Sequence, residues 1–246
     1  MTKWTITKTW TIALAVLFVT GASALAQTPK AGVTTVHLGA RVVAIPAPDG
    51  FEEAASQFEV IRNRFTATEA PENDMLTIHM PHADCEKLRA GELVPFSFYT
   101  KISVRRLIRE ENYSPARFAE LVAVFRKNGT EIMNINGPTM KGIIDRLDKS
   151  LSELNKEDTE VDLTQPVSLG EIDTRPNVFA VMVLMTITAK TGEKQSVFPI
   201  VGGLTFLRVK ERLTYVYTYR RYTSKTDVEI LRDFTKQWLT QILAAN

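Results

Sequence analysis

In the last third of the chain, the spacing between apolar residues changes from that of a β-strand to that of an α-helix. Between Leu213 and Tyr219, tyrosines alternate with Thr and Val, and alternate residues of a strand face opposite sides of a sheet. After Ser224 the apolar residues recur at three- and four-residue steps, which is typical of a helix with one buried face. These residues are Val228, Leu231, Phe234, Trp238 and Ile242. The pattern predicts a hairpin turning at residues 210–212, then a terminal helix with Ser224 as its N-cap that packs on the sheet.

Apolar runs upstream predict the other strands. They cover residues 36–45, 75–80, 94–104, 167–172, 177–189 and 195–201. The run from Val178 to Met185 is apolar on both faces, so this strand is expected at the centre of the sheet. Pro199 lacks an amide donor and Gly202-Gly203 loosens the backbone, so we expect a bulge or kink there.

Two helices are predicted in the middle of the chain. Ser114-Pro115 places an N-cap before a proline at the first helical position, and Asn128-Gly129 is expected to end that helix. The second helix begins near Pro138 and opposes an apolar stripe to a charged face. The stripe consists of Met140, Ile143, Ile144, Leu147, Leu151 and Leu154. The polar residues 155–166 are interpreted as a linker within one domain.

Together these elements predict an α+β fold. A mostly antiparallel sheet is covered by helices in an α/β/α-type sandwich, and the C-terminal helix packs on the sheet. We expect a single domain over residues 27–246, with the two helices at about 114–155 as an insertion.

The first 26 residues have the pattern of a secretory signal peptide. Lys3 and Lys8 give a basic start, an apolar stretch follows, and Ala24-Leu25-Ala26 forms a cleavage site. The apolar stretch falls short of the roughly 20 residues that a membrane span needs, although its retention as an anchor stays an alternative. We predict cleavage after Ala26, localisation in a periplasm or outside the cell, and no stable membrane span afterwards.

The charge balance and the cysteine count limit the classes of partner and of stabilising bond that this chain can have. The chain has 30 Lys and Arg against 28 Asp and Glu, and Lys3 and Lys8 leave with the signal, so the exported chain is close to neutral. That balance, together with export, argues against a nucleic-acid partner. Cys85 is the only cysteine, so no internal disulfide forms and stability must come from the core.

An Ile-Pro-x-Pro-x-Gly-Phe turn, a late antiparallel meander and a closing helix resemble the layout of the PsbP/DcrB-like α/β sandwich families. The turn residues are Ile45, Pro46, Pro48, Gly50 and Phe51; the meander runs from Val178 to Tyr219, and the helix starts at Lys225. The two central helices exceed what a minimal sandwich of this kind needs. The resemblance implies an extracytoplasmic binding or accessory module.

The densest group of metal-binding residue types is His79-Met80-Pro81-His82-Ala83-Asp84-Cys85. Imidazole and thiolate are metal donors, and His79, His82 and Cys85 are candidate ligands. On a strand, however, residues three apart face opposite sides. The alternative is a polar turn beside a buried thiol.

A second candidate is the basic edge of the late hairpin, which could hold an anionic ligand or an unknown envelope protein. Its residues are Arg208, Lys210, Arg212, Arg220 and Arg221. The alternative places the tyrosines under the terminal helix, with the charges solvated. Arg105, Arg106 and Arg109 raise the same question at another strand end.

No motif of a known catalytic class stands out. The sequence contains no Gly-x-Ser-x-Gly, no His-Glu-x-x-His and no Cys-x-x-Cys, and Gly202-Gly203 lacks the context of a phosphate-binding loop. We therefore predict a non-enzymatic exported binding or accessory protein that needs no cofactor. The alternative is a periplasmic metal-binding protein that uses the His79, His82 and Cys85 group.

Overall fold

An antiparallel sheet of eight strands forms the centre of the protein in a computed structural model that describes residues 32–92 and 94–246. A separate two-stranded hairpin precedes it. The strands are β1 Val33–Leu38, β2 Arg41–Pro46, β3 Phe51–Glu53, β4 Asn73–Pro81, β5 Phe98–Arg105, β6 Thr159–Leu163, β7 Val167–Asp173, β8 Val178–Thr191, β9 Lys194–Val209 and β10 Arg212–Arg221. The helices are α1 Glu59–Ala67, α2 His82–Arg89, α3 Pro115–Ile132, α4 Pro138–Asn155 and α5 Lys225–Ala244.

Strand order explains why the late strands are the most apolar. The order is β3-β4-β5-β10-β9-β8-β6, and β7 pairs with β8 beside β6. Strands β8, β9 and β10 therefore each have a neighbour on both sides, and the start of β8, from Val178 to Val183, is buried on both faces. The prediction of a central strand here is confirmed.

Helical layers cover both faces of this sheet. Helix α5 and the β1–β2 hairpin bury one face, which we call the α5 face. Helices α1 and α2 cover the β4 end of the opposite face, α3 covers its centre, and α4 covers β6. The predicted α+β sandwich with a C-terminal helix on the sheet is confirmed.

The start of α5 is held by a network around one carboxylate. Asp227 accepts hydrogen bonds from the backbone N–H of Thr223 and Ser224 at 2.8 and 2.9 Å, and from Arg220 at 2.7 Å. Further along, Trp238 is buried and its indole N–H donates to the Pro46 carbonyl at 2.8 Å. These contacts fix α5 at both its first turn and its middle.

The sheet and α5 come very close together at Gly203. A Cβ atom there would lie closer than 3.0 Å to the Thr218 hydroxyl oxygen and 3.4 Å from that of Thr235. The two hydroxyls share a 2.8 Å hydrogen bond between β10 and α5. Glycine is required here because a Cβ would displace the Thr218 hydroxyl and disturb its bond to Thr235 on α5.

The predicted bulge or kink near Pro199 is wrong, since β9 pairs with β8 without interruption from Lys194 to Leu207. The carbonyl of Pro199 accepts from the N–H of Tyr222, so its backbone groups face away from β8. The missing amide donor therefore points to the side where β10 ends, and no bond to β8 is lost.

Several boundaries differ from the sequence analysis. Residues 36–45 form the β1–β2 hairpin rather than one strand, because Gly39 turns the chain at φ +61°. The predicted linker contains β6, in which buried residues alternate with exposed acids. Helix α3 continues past Gly129, which is buried against Phe125. The two central helices pack directly on the sheet.

The predicted signal peptide lies outside the described residues. Within residues 32–92 and 94–246, no helix is both long enough and apolar enough to cross a bilayer.

Replacing Gly203 with Ala tests the close approach of α5. We expect Gly203→Ala to lower the free energy of unfolding by about 1–3 kcal/mol, because the added methyl group overpacks the contact with Thr218. Gly202→Ala is the matched comparison, since its Cβ would lie 3.3 Å from the Tyr219 ring, a tight contact that a ring shift of a few tenths of an ångström would relieve. Urea unfolding of both variants measures the difference; equal losses would contradict the assignment.

Candidate functional site

The structure does not bring the three candidate metal ligands together. His79 points to the α5 face, where its ring centroid lies 5.3 Å from that of Trp238. Cys85 is buried on the opposite face among the apolar residues under α1 and α2. Strand alternation separates them, because His79 and its neighbours Ile78 and Met80 point to opposite sides. Among the described residues, no group of three His, Cys, Asp or Glu side chains could hold a metal ion.

His82 and Cys85 lie near a buried carboxylate instead. Glu52 is fully buried and is bonded by Arg89, by Gln57 at 3.1 Å and by His82 at 3.4 Å. Burial would raise the pKa of Glu52, but these hydrogen bonds outweigh it and lower the pKa. Burial, and then the negative Glu52, raise the pKa of the Cys85 thiol to about 12. This cysteine is therefore held as a neutral packing residue.

The predicted basic edge is largely committed to internal contacts. Arg212 is 4% exposed and donates to the carbonyls of Leu38 at 2.9 Å and Glu111 at 3.2 Å. Lys210 donates to the Val42 carbonyl at 2.8 Å, and Arg208 donates to Asn177 at 2.9 Å. These side chains tie the turn between β9 and β10 to the β1–β2 hairpin and to the loop before α3.

The other two members of the basic edge lie at the far end of β10. Arg220 pairs with Asp227 at the start of α5. Arg221 is exposed, with its guanidinium 5.9 Å from the Phe198 ring. Only Arg221 of the five is thus exposed without an ion pair or side-chain hydrogen bond in the described part of the chain.

The expectation that the tyrosines lie under α5 is wrong. Thr214, Val216 and Thr218 face α5, and the tyrosines face the opposite side. Tyr219 packs on Tyr99 with ring centroids 5.0 Å apart, and Tyr215 packs under α3. Alternation was read correctly, but the sequence does not say which face the terminal helix covers.

The larger of the two best-formed cavities, about 550 Å³, lies beside β4 at the edge of the sheet. We call it the β4 cleft. The β1–β2 hairpin forms one wall and the end of α1 with the following loop forms the other. Its lining includes His37, Thr66, Glu69, Met75, Arg106 and Arg109. A second cavity of about 400 Å³ lies beside α4, but its Asp148 is bonded to the backbone of Val161 at 2.6 Å.

The floor of the β4 cleft is an unpaired strand edge. Strand β3 pairs with β4 only at His79, Met80 and Pro81, so the first part of β4 has no outer neighbour among the described strands. The pairing with β5 also shifts between Met75 and Thr77, which makes Leu76 a bulged residue. Bulges are frequent beside functional sites, where they re-aim side chains.

The charged residues of the β4 cleft are unequally paired. Asp74 accepts from Arg106 at 2.6 Å and from Arg109 at 2.8 Å, and the bond from Arg106 lowers the pKa of Asp74. Glu69 is neutralised by Lys101 at 2.8 Å and also accepts from Ser103. The guanidinium groups of Arg106 and Arg109 therefore share a single carboxylate, that of Asp74. The side chain of Arg106 is also 62% exposed.

Sequence reasoning raised Arg105, Arg106 and Arg109 but not their partner Asp74. The sequence predicts positive charge at this strand end from Arg106 and Arg109. It does not predict their ion pair, because the Asp74 carboxylate lies more than thirty residues upstream. Only the pairing of β4 with β5 brings Asp74 beside these arginines.

Comparison with known proteins gives a distant likeness of fold. No protein-family model matches the chain, and no curated protein matches it. A mutant of protein Mog1 covers 87% of this chain and 94% of its own length at 13% identity and a TM-score of 0.34. The Ran-binding protein Mog1p of Saccharomyces cerevisiae covers 88% and 95% at 14% identity and 0.33. These are Mog1 structures and not PsbP or DcrB, and so low a score carries no argument about function.

Arg212 and Arg221 form a matched pair for testing which arginines are structural. Arg212→Met should lower the free energy of unfolding by about 1–3 kcal/mol, because it leaves the buried Leu38 carbonyl without its donor. Arg221→Met should change it by less than about 0.5 kcal/mol, since that side chain is exposed. Denaturant unfolding checks both; a stable Arg212→Met variant would contradict the structural role.

Burial of His79 should make the folded protein less stable in mild acid. Burial lowers its pKa to about 3, whereas an unfolded histidine titrates near 6.5, so the unfolded chain binds the proton more readily. The stabilisation from neutral His79 is complete above pH 6.5 and declines as the pH falls toward 3. At pH 5 the loss should be about 2 kcal/mol.

The variant His79→Gln should lack this loss between pH 6.5 and 5, a range above the titration of most carboxylates. His37→Gln keeps His79 and should therefore retain the wild-type slope. The test is to measure the free energy of unfolding of each variant at several pH values. If its slope against pH in His79→Gln equals that of the wild type, His79 is not the cause of the acid loss.

Proposed function

We propose that this protein is an exported, non-enzymatic binding or accessory protein that takes its partner in the β4 cleft. The observation that carries the proposal is the exposed, incompletely neutralised guanidinium of Arg106 beside an open strand edge. An anionic group brought into the cleft would gain a charge-assisted hydrogen bond there. The partner is an envelope protein or an anionic ligand.

The state of the reactive side chains supports binding rather than catalysis. The thiol of Cys85 is held neutral by a pKa of about 12, and the imidazole of His79 is buried against Trp238 with a pKa of about 3. Neither group could serve as a nucleophile or a proton carrier near neutral pH. The charged groups of the β4 cleft are two arginines that share the Asp74 carboxylate, an arrangement suited to recognition of a further anionic group.

The N-terminal pattern supports action outside the cytoplasm. A basic start, an apolar stretch and Ala24-Leu25-Ala26 precede β1, the first described strand, which starts at Val33. The resemblance to PsbP/DcrB-like proteins also implies an extracytoplasmic accessory role. A net charge close to zero is compatible with a protein partner that is recognised through a local group of charged residues, such as the arginines of the β4 cleft.

Export and binding can be tested on the same preparation. Fractionation of a bacterial host that expresses the full chain should release the protein with the periplasm, and its mass should correspond to an N-terminus at Gln27. An intact chain in the cytoplasm would contradict the export proposal.

The binding site can be tested with a photo-crosslinking residue placed at Ala70, in the wall of the β4 cleft. We expect adducts with an envelope component that are lost when Arg106 is also replaced by Glu. The same label at exposed Glu229 on α5 is the matched control and should give none of these adducts. Adducts that persist in the Arg106→Glu variant would place the binding surface elsewhere.

A further inference from the structure

We infer that the occupant of the β4 cleft is an extended peptide segment that carries an acidic side chain and adds as a strand to the free edge of β4. This inference rests on the proposed binding function and names the class of partner. Strand addition to an exposed sheet edge is a general mode of peptide recognition, in which main-chain hydrogen bonds give affinity and side-chain pockets give specificity.

Backbone bonding along β4 leaves a defined gap. The carbonyl of Ile78 accepts from Ala54 at 2.7 Å, and its N–H donates to Glu53 at 3.3 Å. At the other end, the N–H of Asn73 donates to the Ala70 carbonyl at 2.9 Å. Between them, residues 74–77 have no outer strand in the described chain. Thr77 is fully buried, so residues 74–76 are the accessible part of this gap, which is roughly 10 Å long at the rise of a strand, enough for an extended segment of about three residues.

The other long edges of the sheet are guarded. Arg126 of α3 bonds the side chain of Glu171 on β7, and Arg232 of α5 bonds the Leu169 and Glu171 carbonyls at 3.1 Å each. The unpaired start of β9 carries Lys194 and Pro199, residue types that natural sheets use against edge pairing. The β4 edge carries one such device, the bulge at Leu76, but it has no Lys or Pro between Asp74 and Thr77 and lies at the bottom of a cleft.

The walls of the cleft stand on opposite faces of the sheet. Val36 and His37 belong to the β1–β2 hairpin on the α5 face, whereas Thr66 in the last turn of α1 and Ala70 after it lie on the other face. Arg109 donates to the His37 carbonyl at 2.8 Å and thereby holds the hairpin wall in place. An added strand alternates its side chains between the two faces, and each wall would receive one set.

Charge selects the acidic side chain. Asp74 accepts from both Arg106 and Arg109, which leaves one positive charge without a partner at the mouth of the cleft. Arg109 uses its terminal nitrogens on Asp74 and the His37 carbonyl, whereas Arg106 bonds Asp74 through Nε, so its terminal nitrogens are the donors left for a ligand among the described residues. A carboxylate from the incoming peptide would restore the balance of two guanidinium groups with two carboxylates.

The experiment is a selection of linear twelve-residue peptides displayed on phage against the exported protein. We expect the enriched peptides to combine β-branched or aromatic residues with at least one Asp or Glu. Affinity of the synthetic peptides, measured by fluorescence polarisation, should fall about tenfold in Arg106→Gln. Arg105→Gln removes the same charge from an adjacent exposed residue that does not line the cleft, and should change affinity less than about twofold.

Backbone pairing is tested separately by N-methylation of single peptide amides. Methylation at alternate positions should abolish binding, because only every second amide faces β4. Thermal unfolding of Arg106→Gln verifies that the variant is folded before its affinity is compared.

The outcomes separate this inference from the proposed function. Failure to enrich any acidic peptide, or affinity that tolerates N-methylation at every position, would overturn strand addition. If acetate or inorganic phosphate then still shifts NMR signals of the cleft residues in an Arg106-dependent way, the cleft binds anions and only the peptide class is wrong. Peptides that bind equally well to Arg106→Gln would overturn both.

Discussion

The structure depends on burying both faces of β8, β9 and β10 at once. A sheet that is apolar on both sides needs a cover on each, and one close contact between cover and sheet is beside Gly203, where Thr218 and Thr235 join β10 to α5. Burial of large apolar side chains, each worth roughly 1.5–3 kcal/mol before conformational entropy is subtracted, favours this arrangement. The helices α1 to α4 complete the other side.

Charged side chains then close the ends and edges of this sandwich. Arg212 joins the β9–β10 turn to the β1–β2 hairpin, and Arg126 and Arg232 reach β7 from opposite layers. The basic residues that look like a binding edge in the sequence are thus used mostly within the molecule. The β4 cleft differs, because Arg106 remains exposed beside a strand edge that no described strand covers. We therefore propose that the protein binds its partner at the place where internal pairing is incomplete.

Sequence patterns predicted the elements better than their surroundings. The terminal helix, its N-cap at Ser224 and the central position of β8 followed from local periodicity and capping chemistry. Strand β6 was not predicted, because its acidic residues make the segment look like a polar linker and its alternation of buried and exposed residues is short. The tyrosines were assigned to the wrong face, because alternation along a strand does not show which face a helix covers. The β4 cleft could not be foreseen, since Asp74 and Arg106 meet only through strand pairing. His79 and Cys85 are close in sequence, yet the sheet separates them.

The fluorescence of Trp238 tests the central claim of two-sided burial most directly. Trp4 and Trp10 precede Gln27, so a chain that starts at Gln27 has this single indole. Because Trp238 is 1% exposed, we predict a blue-shifted emission maximum and no quenching by iodide until the protein unfolds. A water-like emission maximum with free quenching in the native state would contradict the packing of α5 on the sheet.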